Sequence, residues 1–425
     1  MKIKTAHQSY ENVAAMPADK PFVPKKPNLF FRTLLKIASG SDLKAVHFSC
    51  EKEGMEKLHK NEPCLILMNH SSFIDLKIAA SVLYPRPFQI VCTSDGFVGK
   101  KWLMRNLGCI PTRKFVSDTN LVRSMHYSLK RLKSSVLMYP EASYTFDGTA
   151  TPLPESIGKC VKLLGVPVLM FRTYGAFLRD PLYNNLQLRD TTVTARLSYI
   201  LSPEDIAQKS TSEINALLRE LFTFDNFKIQ QEKGIKITES FRADGLNRVL
   251  YKCPHCLTEG QMNGKGVRIG CSACGKSYKL TETGFLESDS GDNKFTHIPD
   301  WYAWERECVR KQLLDGTYYL DTNVEICIMK GMKNIWRVGE GRLVHDSNGF
   351  RLTGCNGKLS YVQSPLASYG LYADYFWYEI GDMICIGNED MLYYCFPKGA
   401  GDIVAKTRLA AEELYKIRKS AIQKS

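Results

Sequence analysis

The sequence predicts an α/β domain with a mostly parallel sheet and flanking helices, then a small four-cysteine module and a β-rich C-terminal domain. Three observations support this prediction. Short apolar runs alternate with helical patterns between residues 60 and 200, two closely spaced cysteine pairs follow, and alternating segments separated by turns occupy the rest of the chain. We place the domains at 1–45 (an N-terminal arm with an amphipathic helix), 46–245, 246–290 and 291–425.

The composition is that of a globular protein with more than one core, because 44% of the 425 residues are hydrophobic and 24% are charged. The 57 Lys and Arg outnumber the 44 Asp and Glu by 13, which favours an anionic partner such as a nucleic acid, a lipid headgroup or a phosphorylated small molecule. We find no apolar core of a secretory signal and no run near the roughly 20 residues of a membrane crossing. We therefore expect a cytoplasmic protein whose 14 cysteines are thiols or metal ligands.

The N-terminal region reads as an extended arm followed by one helix. Four prolines lie between Met16 and Asn28, and after them Asn28 can cap a helix that Gly40 can end. One face of this helix is apolar and carries Phe30, Phe31, Leu34, Leu35 and Ala38. Two interpretations remain open: a helix packed on the next domain, or an interfacial anchor on a membrane surface.

Four apolar runs in the α/β region have the length of buried strands, and they are Cys64–Met68, Phe88–Thr93, Ser135–Pro140 and Val166–Phe171. A helix capped by Asp118 lies between two of them. Strands that alternate with helices indicate a largely parallel sheet, in which ligands bind where strands end and loops begin.

His70 and Asp75 lie at such a point, where an apolar strand turns into a helix. A neutral imidazole can take a proton from a hydroxyl, and a carboxylate on its other nitrogen fixes the tautomer and stabilises the imidazolium. The spacing alone also fits a histidine that caps the helix beside an unrelated aspartate in its first turn.

Four blocks around this point resemble the glycerolipid acyltransferase family, whose members acylate glycerol 3-phosphate and lysophospholipids. They are NHSSFID with His70 and Asp75, LGCIPTRKF (Leu107–Phe115), YPEASYT (Tyr139–Thr145) and GVPVLMF (Gly165–Phe171). The blocks follow the family's order and cover residues 45 to 225. The resemblance implies that His70 is the general base, that Asp75 orients it, and that residues of the second and third blocks bind substrate: Arg113, Lys114, Glu141, Ala142 and Ser143.

The blocks also depart from the family at three positions. Lys114 stands where the family has the arginine that contacts the acceptor's phosphate, with Arg113 one residue earlier, and only arginine can make two parallel hydrogen bonds to a phosphate. In the third block Ala142 replaces a glycine and Tyr144 replaces an arginine. Loss of that arginine removes a candidate anion contact and puts the usual lysophosphatidic acid acceptor in doubt.

The cysteine module indicates a metal site. Cys253 and Cys256 are separated by two residues, as are Cys271 and Cys274, and two such knuckles can hold one Zn²⁺ tetrahedrally. Four sulfur ligands leave no open position, so we expect a structural zinc ribbon with His255 outside the ligand set. Four unconnected core cysteines, or iron in place of zinc, are the alternatives.

The C-terminal region combines a helix near residue 300, several short alternating segments and a final helix from about Ala405. This pattern resembles a pleckstrin-homology-like β-barrel closed by a helix, with an unrelated β-sandwich as the alternative. A lipid-binding or protein-binding accessory module is the modest inference from it.

The resemblance implies an acyltransferase that moves a fatty acyl group from acyl-CoA or acyl-carrier protein to the hydroxyl of a lysophospholipid, with 1-acyl-glycerol-3-phosphate as the expected acceptor, in phospholipid biosynthesis. We expect no catalytic cofactor besides the acyl donor, and peripheral attachment to an anionic membrane surface at its inner face. The alternative is a zinc-ribbon adaptor for protein or nucleic acid on a retired enzyme fold. We expect no nucleic acid partner, because the ribbon hairpin between the cysteine pairs has no aromatic residue and only Lys265 and Arg268 as cations.

Overall fold

A computed structural model describes residues 2–17, 19, 21–116, 118–399 and 402–424. Its N-terminal segment contains β1 (Thr5–His7), α1 (Tyr10–Ala14) and α2 (Leu29–Ala45). Residues 21–28 of the proline-containing arm have no helix or strand, while Ala18 and Lys20 lie outside the described residues.

Helix α2 begins as the sequence predicts and ends later. The Asn28 side chain accepts a hydrogen bond from the backbone N–H of Phe31 at 3.0 Å, which confirms the cap. The expected end at Gly40 is wrong, because the helix continues to Ala45. Leu43 in the added turn is buried in the core of the next domain, and this packing outweighs the weak helix propensity of one glycine.

In its described residues the α/β domain has seven strands and eight helices. The strands are β2 (Ser49–Glu53), β3 (Leu65–Met68), β4 (Phe88–Thr93), β5 (Cys109–Thr112), β6 (Ser135–Met138), β7 (Val168–Tyr174) and β8 (Thr194–Leu201). The helices are α3 (Asp75–Leu83), α4 (Lys101–Asn106), α5 (Thr119–Lys130), α6 (Ile157–Leu164), α7 (Ala176–Arg179), α8 (Pro203–Gln208), α9 (Thr211–Leu221) and α10 (Asn226–Lys233). All four strands that the apolar runs predict are present, as β3, β4, β6 and β7.

The sheet is mixed and has the order β2-β8-β7-β3-β6-β4-β5. Neighbouring strands are parallel except for β7 and β8, which are antiparallel. Central strand β3 is buried on both faces: Leu65 and Leu67 belong to one hydrophobic cluster, and Ile66 and Met68 belong to the other. This two-sided burial is typical of parallel sheets covered by helices.

The cysteine-containing region forms a small antiparallel sheet of β9 (Met262–Lys265), β10 (Arg268–Cys271), β11 (Ser277–Leu280) and β12 (Leu286–Ser288). It does not stand alone. Ile269 and Tyr278 of this sheet share a buried cluster with Phe227 of α10 and with Trp301 of the following helix.

The C-terminal region contains α11 (Ile298–Leu314), β13 (Leu320–Met329), β14 (Ile335–Asp346), β15 (Gly349–Gly354), β16 (Leu359–Gln363), β17 (Tyr372–Trp377), β18 (Gly381–Gly387), β19 (Leu392–Pro397) and α12 (Ile403–Lys424). The strands form an antiparallel sheet in the order β16-β15-β14-β13-β19-β18-β17. A pleckstrin-homology-like fold stays a prediction for this region.

Two pairs of short segments that the sequence pattern separates are single long strands. β13 joins most of the alternating segments at 317–322 and 324–330, and β14 joins those at 334–339 and 341–346, with a shift in register between Ile326 and Cys327. A bulge in the ladder absorbs the irregular residues near Gly339, whose φ is +132°. A turn residue in the sequence therefore marks a bulge here and not a chain reversal.

Strand β1 pairs in parallel with residues 335–337 of β14. Strand β15 covers only residues 341–346 of β14, so the backbone before that point is open to another strand. The start of the N-terminal region is thus hydrogen-bonded to the C-terminal sheet.

Helices α11 and α12 are joined by a buried network of charges. Glu412 pairs with Arg306 at 2.7 Å and with Arg408 at 3.1 Å, and the carboxylate is 3% exposed. Glu413 pairs with Arg306 and Arg310. Arg408 also donates from Nη1 to the backbone oxygen of residue 144 at 3.2 Å, so the network reaches the α/β domain.

We expect Glu412→Ala to lower the free energy of unfolding by about 3–5 kcal/mol, because Arg408 stays buried without its counter-charge and Arg306 keeps only Glu413. Chemical denaturation measures this change. Glu389→Ala, which removes an exposed carboxylate from the same region, is the control and should leave the unfolding midpoint unchanged. Equal midpoints for the two variants would contradict the expectation.

Candidate active site

The centre of the site is the turn that leaves β3 and enters α3. Asp75 is fully buried at the first position of α3, and its Oδ2 accepts the backbone N–H groups of Ser71 at 2.9 Å and Ser72 at 3.1 Å. Thr173 on the neighbouring strand β7 donates to Oδ1 at 3.4 Å. These donors fix the carboxylate in one orientation.

His70 meets this carboxylate. Its Nδ1 lies 3.1 Å from Asp75 Oδ2, and the imidazole is 16% exposed. Burial lowers the pKa of His70 below its usual value of 6.5, although Asp75 acts in the opposite direction. At neutral pH the imidazole is therefore uncharged, with its Nδ1 proton directed to Asp75 and a lone pair on Nε2.

Two tyrosines enclose the imidazole. Tyr139 stacks on one side with 4.0 Å between ring centroids, and Tyr144 stacks with 3.8 Å. Phe73 stacks on Tyr144 at 5.3 Å and is half exposed. The residue that replaces the family's arginine is thus a wall of the site and lies against the histidine itself.

Glu141 supports the backbone of the site. It is 1% exposed, its Oε2 accepts the N–H of His70 at 3.1 Å, and its Oε1 accepts the N–H of Thr151 at 2.8 Å. Burial raises the pKa of Glu141 to about 7. These contacts hold the strand ends of β3 and β6 together, and a substrate-binding role for Glu141 stays a prediction.

Ala142 and Ser143 lie in the turn after β6. Ala142 has φ of +56°, a left-handed conformation that glycine adopts without strain, which accounts for the family's glycine here. Its N–H donates to the backbone oxygen of Tyr139 at 3.0 Å, and Ser143 Oγ donates to the backbone oxygen of Tyr144 at 3.2 Å. Since these donors are engaged locally, neither is open to an oxyanion in this conformation.

The two basic residues of the second block lie just beyond β5. Lys114 Nζ is 5.7 Å from the ring centroid of Tyr144 and 4.3 Å from that of Tyr372. Burial lowers the pKa of Lys114, and Asp374 opposes the shift. Nε of Arg113 is buried without a hydrogen-bond partner among the described residues, as a donor waiting for an anion would be.

No C-terminal residue is predicted from the sequence to lie at the site, yet β17 contacts the second block through Tyr372 and Lys114. Tyr372 and Asp374 face Lys114, and Tyr372 donates to Asp95 Oδ2 at 2.8 Å. No spacing rule connects residues that are more than 250 positions apart. The only hint in the sequence is the unusual density of tyrosines in this strand.

The four cysteines form a second candidate site. The Sγ atoms of Cys253 and Cys274 are 3.7 Å apart, as are those of Cys256 and Cys271, and all four lie within 4.8 Å of one another. A tetrahedral zinc with four Zn–S bonds separates its sulfurs by about 3.8 Å. The four cysteines could therefore bind a metal ion such as zinc.

Backbone amides support this interpretation. Burial raises the pKa of Cys253 and of Cys271, and backbone N–H groups act in the opposite direction: those of Cys256 and His255 on Cys253, and those of Cys274 and Ala273 on Cys271. Such donors stabilise thiolates, the form that ligates metal. His255 is exposed and lies outside the cluster, as expected.

Comparison with known proteins identifies the α/β region. The sequence model of the family described as Acyltransferase matches residues 49–171. Among solved structures, the chain is similar to the crystal structure of the 1-acyl-sn-glycerophosphate (LPA) acyltransferase, PlsC, from Thermotoga maritima, with 16% identity over 45% of this chain and 76% of that chain and a TM-score of 0.38. No similar curated protein was found. Residues 49–171 are therefore an acyltransferase-family domain, and His70 and Asp75 lie within it.

Proposed function

We propose that this protein transfers a fatty acyl group from acyl-CoA or acyl-carrier protein to the hydroxyl of a lysophospholipid. The observation that carries the proposal is the hydrogen bond between His70 Nδ1 and Asp75 Oδ2 at 3.1 Å, at the carboxyl end of a central strand. It orients Nε2 as a base, and the family match supports acyl transfer as the reaction.

In the proposed mechanism Nε2 of His70 takes the proton of the acceptor hydroxyl while the hydroxyl oxygen attacks the thioester carbonyl. The tetrahedral intermediate then collapses, the carbon–sulfur bond breaks, and the leaving thiolate takes the proton from His70. Asp75 stabilises the transient imidazolium through Nδ1. Because the acceptor oxygen is the nucleophile, the protein needs neither a cysteine nor a serine nucleophile.

The environment of His70 suits this role. A base must be uncharged before it acts, and burial favours the neutral imidazole at pH 7. The stacked rings of Tyr139 and Tyr144 exclude water from both faces of the imidazole. In a site of low polarity, the interaction between the imidazolium and Asp75 is stronger than it would be in water.

Arg113 and Lys114 are the proposed contacts of the acceptor's phosphate. Arg113 has a buried Nε–H without a hydrogen-bond partner among the described residues. Lys114 lies near the ring of Tyr144, which stacks on the imidazole of His70. A charge-assisted hydrogen bond to phosphate would satisfy the Arg113 donor and place the acceptor beside the base.

We also propose that the protein takes its acceptor from a membrane surface. No described helix is long and apolar enough to cross a bilayer. Helix α2, helix α4 and the turn before α3 instead expose apolar side chains, and the rings of Phe30, Phe31 and Trp102 join α2 to α4; the exposed residues are Phe73, Leu29, Phe30, Leu34, Ile37, Trp102 and Leu103. A patch of this kind can enter the interface, and the excess of Lys and Arg adds attraction to anionic headgroups.

The role that we propose for zinc is structural. Four sulfur ligands fill a tetrahedral shell, which leaves no position for a substrate or a reactive water. The ribbon shares its buried cluster with Phe227 of α10 and Trp301 of α11, so the metal would stabilise the junction of three regions.

We expect His70→Ala to abolish acyl transfer and Asp75→Asn to remove a large part of it, roughly 10³-fold or more, because the base or its tautomer is lost. Consumption of acyl-CoA with a panel of lysolipids measures both. His126→Ala, which removes an exposed histidine of the same domain, should leave the rate unchanged. Near-normal turnover by folded His70→Ala protein would remove the basis of the mechanism, and failure of the wild-type protein with every acceptor would favour the adaptor.

We expect Phe30→Glu with Ile37→Glu to reduce binding to vesicles of anionic phospholipid at any salt concentration. Both side chains are about 70% exposed, so the changes leave packing intact while they remove apolar contacts with the bilayer. High salt should release only the electrostatic part of wild-type binding. Sedimentation with vesicles measures this, and Leu163→Glu with Val362→Glu is the control for exposed apolar residues elsewhere. Undiminished binding of the first double variant would mean that α2 is an ordinary packed helix.

We expect one Zn²⁺ per chain to copurify with the protein and Cys253→Ser to lose it. Elemental analysis measures the metal, and thermal unfolding should show a large loss of stability because the small ribbon has little core of its own. Cys50→Ser changes a thiol outside the cluster and should retain the zinc. Wild-type protein without zinc, or with iron in its place, would contradict the prediction.

A further inference from the structure

Near His70 the site carries a basic residue, Lys114, and an acidic residue, Asp374, that influence each other electrostatically. Lys114 lies between the rings of Tyr144 and Tyr372, and Asp374 follows Tyr372 by two positions on β17. Alternate residues of a strand point to the same face, so Asp374 projects toward the same side as the ring that Lys114 contacts. Cys385 of β18 is the direct partner of Tyr372 in the ladder, and it also interacts with Lys114. Lys114 therefore lies on the face of the sheet that carries Tyr372 and Cys385.

Asp374 acts on Lys114 more strongly than any other acid. Burial raises the pKa of Asp374 to about 6, and the charge of Lys114 is the largest opposing influence. Burial lowers the pKa of Lys114, and the carboxylate of Asp374 is the strongest influence that raises it. Asp374 and Lys114 thus each favour the charged form of the other, in surroundings of low polarity.

The other acid that acts on Lys114 is Asp95, and it is already engaged. Asp95 accepts the hydroxyls of Tyr372 at 2.8 Å and of Tyr378 and Tyr394 at 3.5 Å. Asp374 Oδ1 accepts the backbone N–H of Tyr375 at 2.9 Å, and among the described residues no hydrogen bond to its second oxygen is found. A ligand beside Lys114 would therefore meet the carboxylate of Asp374.

The pair of Lys114 and Asp374 lies close to His70, the proposed base. The ring of Tyr144 is 3.8 Å from the imidazole of His70, centroid to centroid, and Lys114 Nζ is 5.7 Å from the same ring. A glycerol backbone whose free hydroxyl reaches His70 would place its headgroup at Lys114. The headgroup would then touch a residue of the C-terminal sheet.

The site has less positive charge than the family's sequence pattern provides. Tyr144 stands where the family has an arginine, and Arg408, which lies behind the backbone of residue 144, is paired with Glu412. A phosphomonoester with two negative charges would bind near Lys114 and Arg113 with Asp374 beside it. Its negative charges would repel the carboxylate of Asp374. A headgroup with one negative and one positive charge would preserve both partners of the pair.

Building on the proposed function, we propose that Asp374 is a specificity-determining residue and that the acceptor is a zwitterionic lysophospholipid. The phosphodiester would bind Lys114 and Arg113, and the ammonium would bind Asp374 beside the rings of Tyr144 and Tyr372. An ammonium attracts both a carboxylate and an aromatic face, and this corner of the site presents both.

The test compares lysophosphatidylethanolamine, lysophosphatidylcholine and lysophosphatidic acid with the same acyl chain, using acyl-CoA as donor and the full chain as enzyme. We expect kcat/KM to be higher for the zwitterionic acceptors than for lysophosphatidic acid. Asp374→Asn should reduce this preference about tenfold, the size of one lost charge-assisted hydrogen bond, through a higher KM for the zwitterions and a lower KM for lysophosphatidic acid. The two zwitterions distinguish a primary from a quaternary ammonium.

Two further variants keep this interpretation testable. Asp390→Asn removes an exposed carboxylate of the same domain and should leave the preference unchanged, whereas Asp374→Glu should restore it. A wild-type preference for lysophosphatidic acid, or equal changes for all acceptors in Asp374→Asn, would overturn the proposal while acyl transfer itself stands. Absence of transfer to every lysolipid would instead refute the proposed function.

Discussion

The site depends on one carboxylate that is held by the backbone. Asp75 Oδ2 accepts two N–H groups from the turn after β3 and faces Nδ1 of His70, so one buried oxygen fixes the turn, the start of α3 and the imidazole together. A buried carboxylate is stable only when its acceptor capacity is filled. The hydrogen bonds that satisfy this buried carboxylate therefore both stabilise the turn and orient the base.

The C-terminal sheet changes the environment in which this base acts. Strand β17 covers the second block, Tyr372 donates to Asp95, and Arg408 supports the backbone of Tyr144. Removing water from this region lowers its polarity, which strengthens every charge interaction within it. The accessory domain is thus part of the wall of the candidate site, and its acidic residue Asp374 counters the charge that the second block supplies.

The departures from the family's sequence pattern become understandable in three dimensions. Ala142 adopts the left-handed conformation that glycine would adopt freely, so the turn keeps its geometry at some conformational cost. Tyr144 supplies no positive charge where the family has an arginine, and its ring instead stacks on the imidazole of His70. Glu141, which sequence reasoning places with the substrate, directs both of its oxygens to backbone donors at His70 and Thr151.

The sequence by itself determined the local features: the buried strands, the Asn28 cap, the cysteine knuckles, and His70 and Asp75 at a strand end. Each depends on residues a few positions apart, where periodicity and turn chemistry act directly. Tertiary structure alone decided that α2 continues past Gly40, that two pairs of segments merge into β13 and β14, and that Asp374 faces Lys114. These outcomes follow from packing and charge between residues far apart in the chain, and such contacts are selected by the energy of the whole fold and not by local spacing.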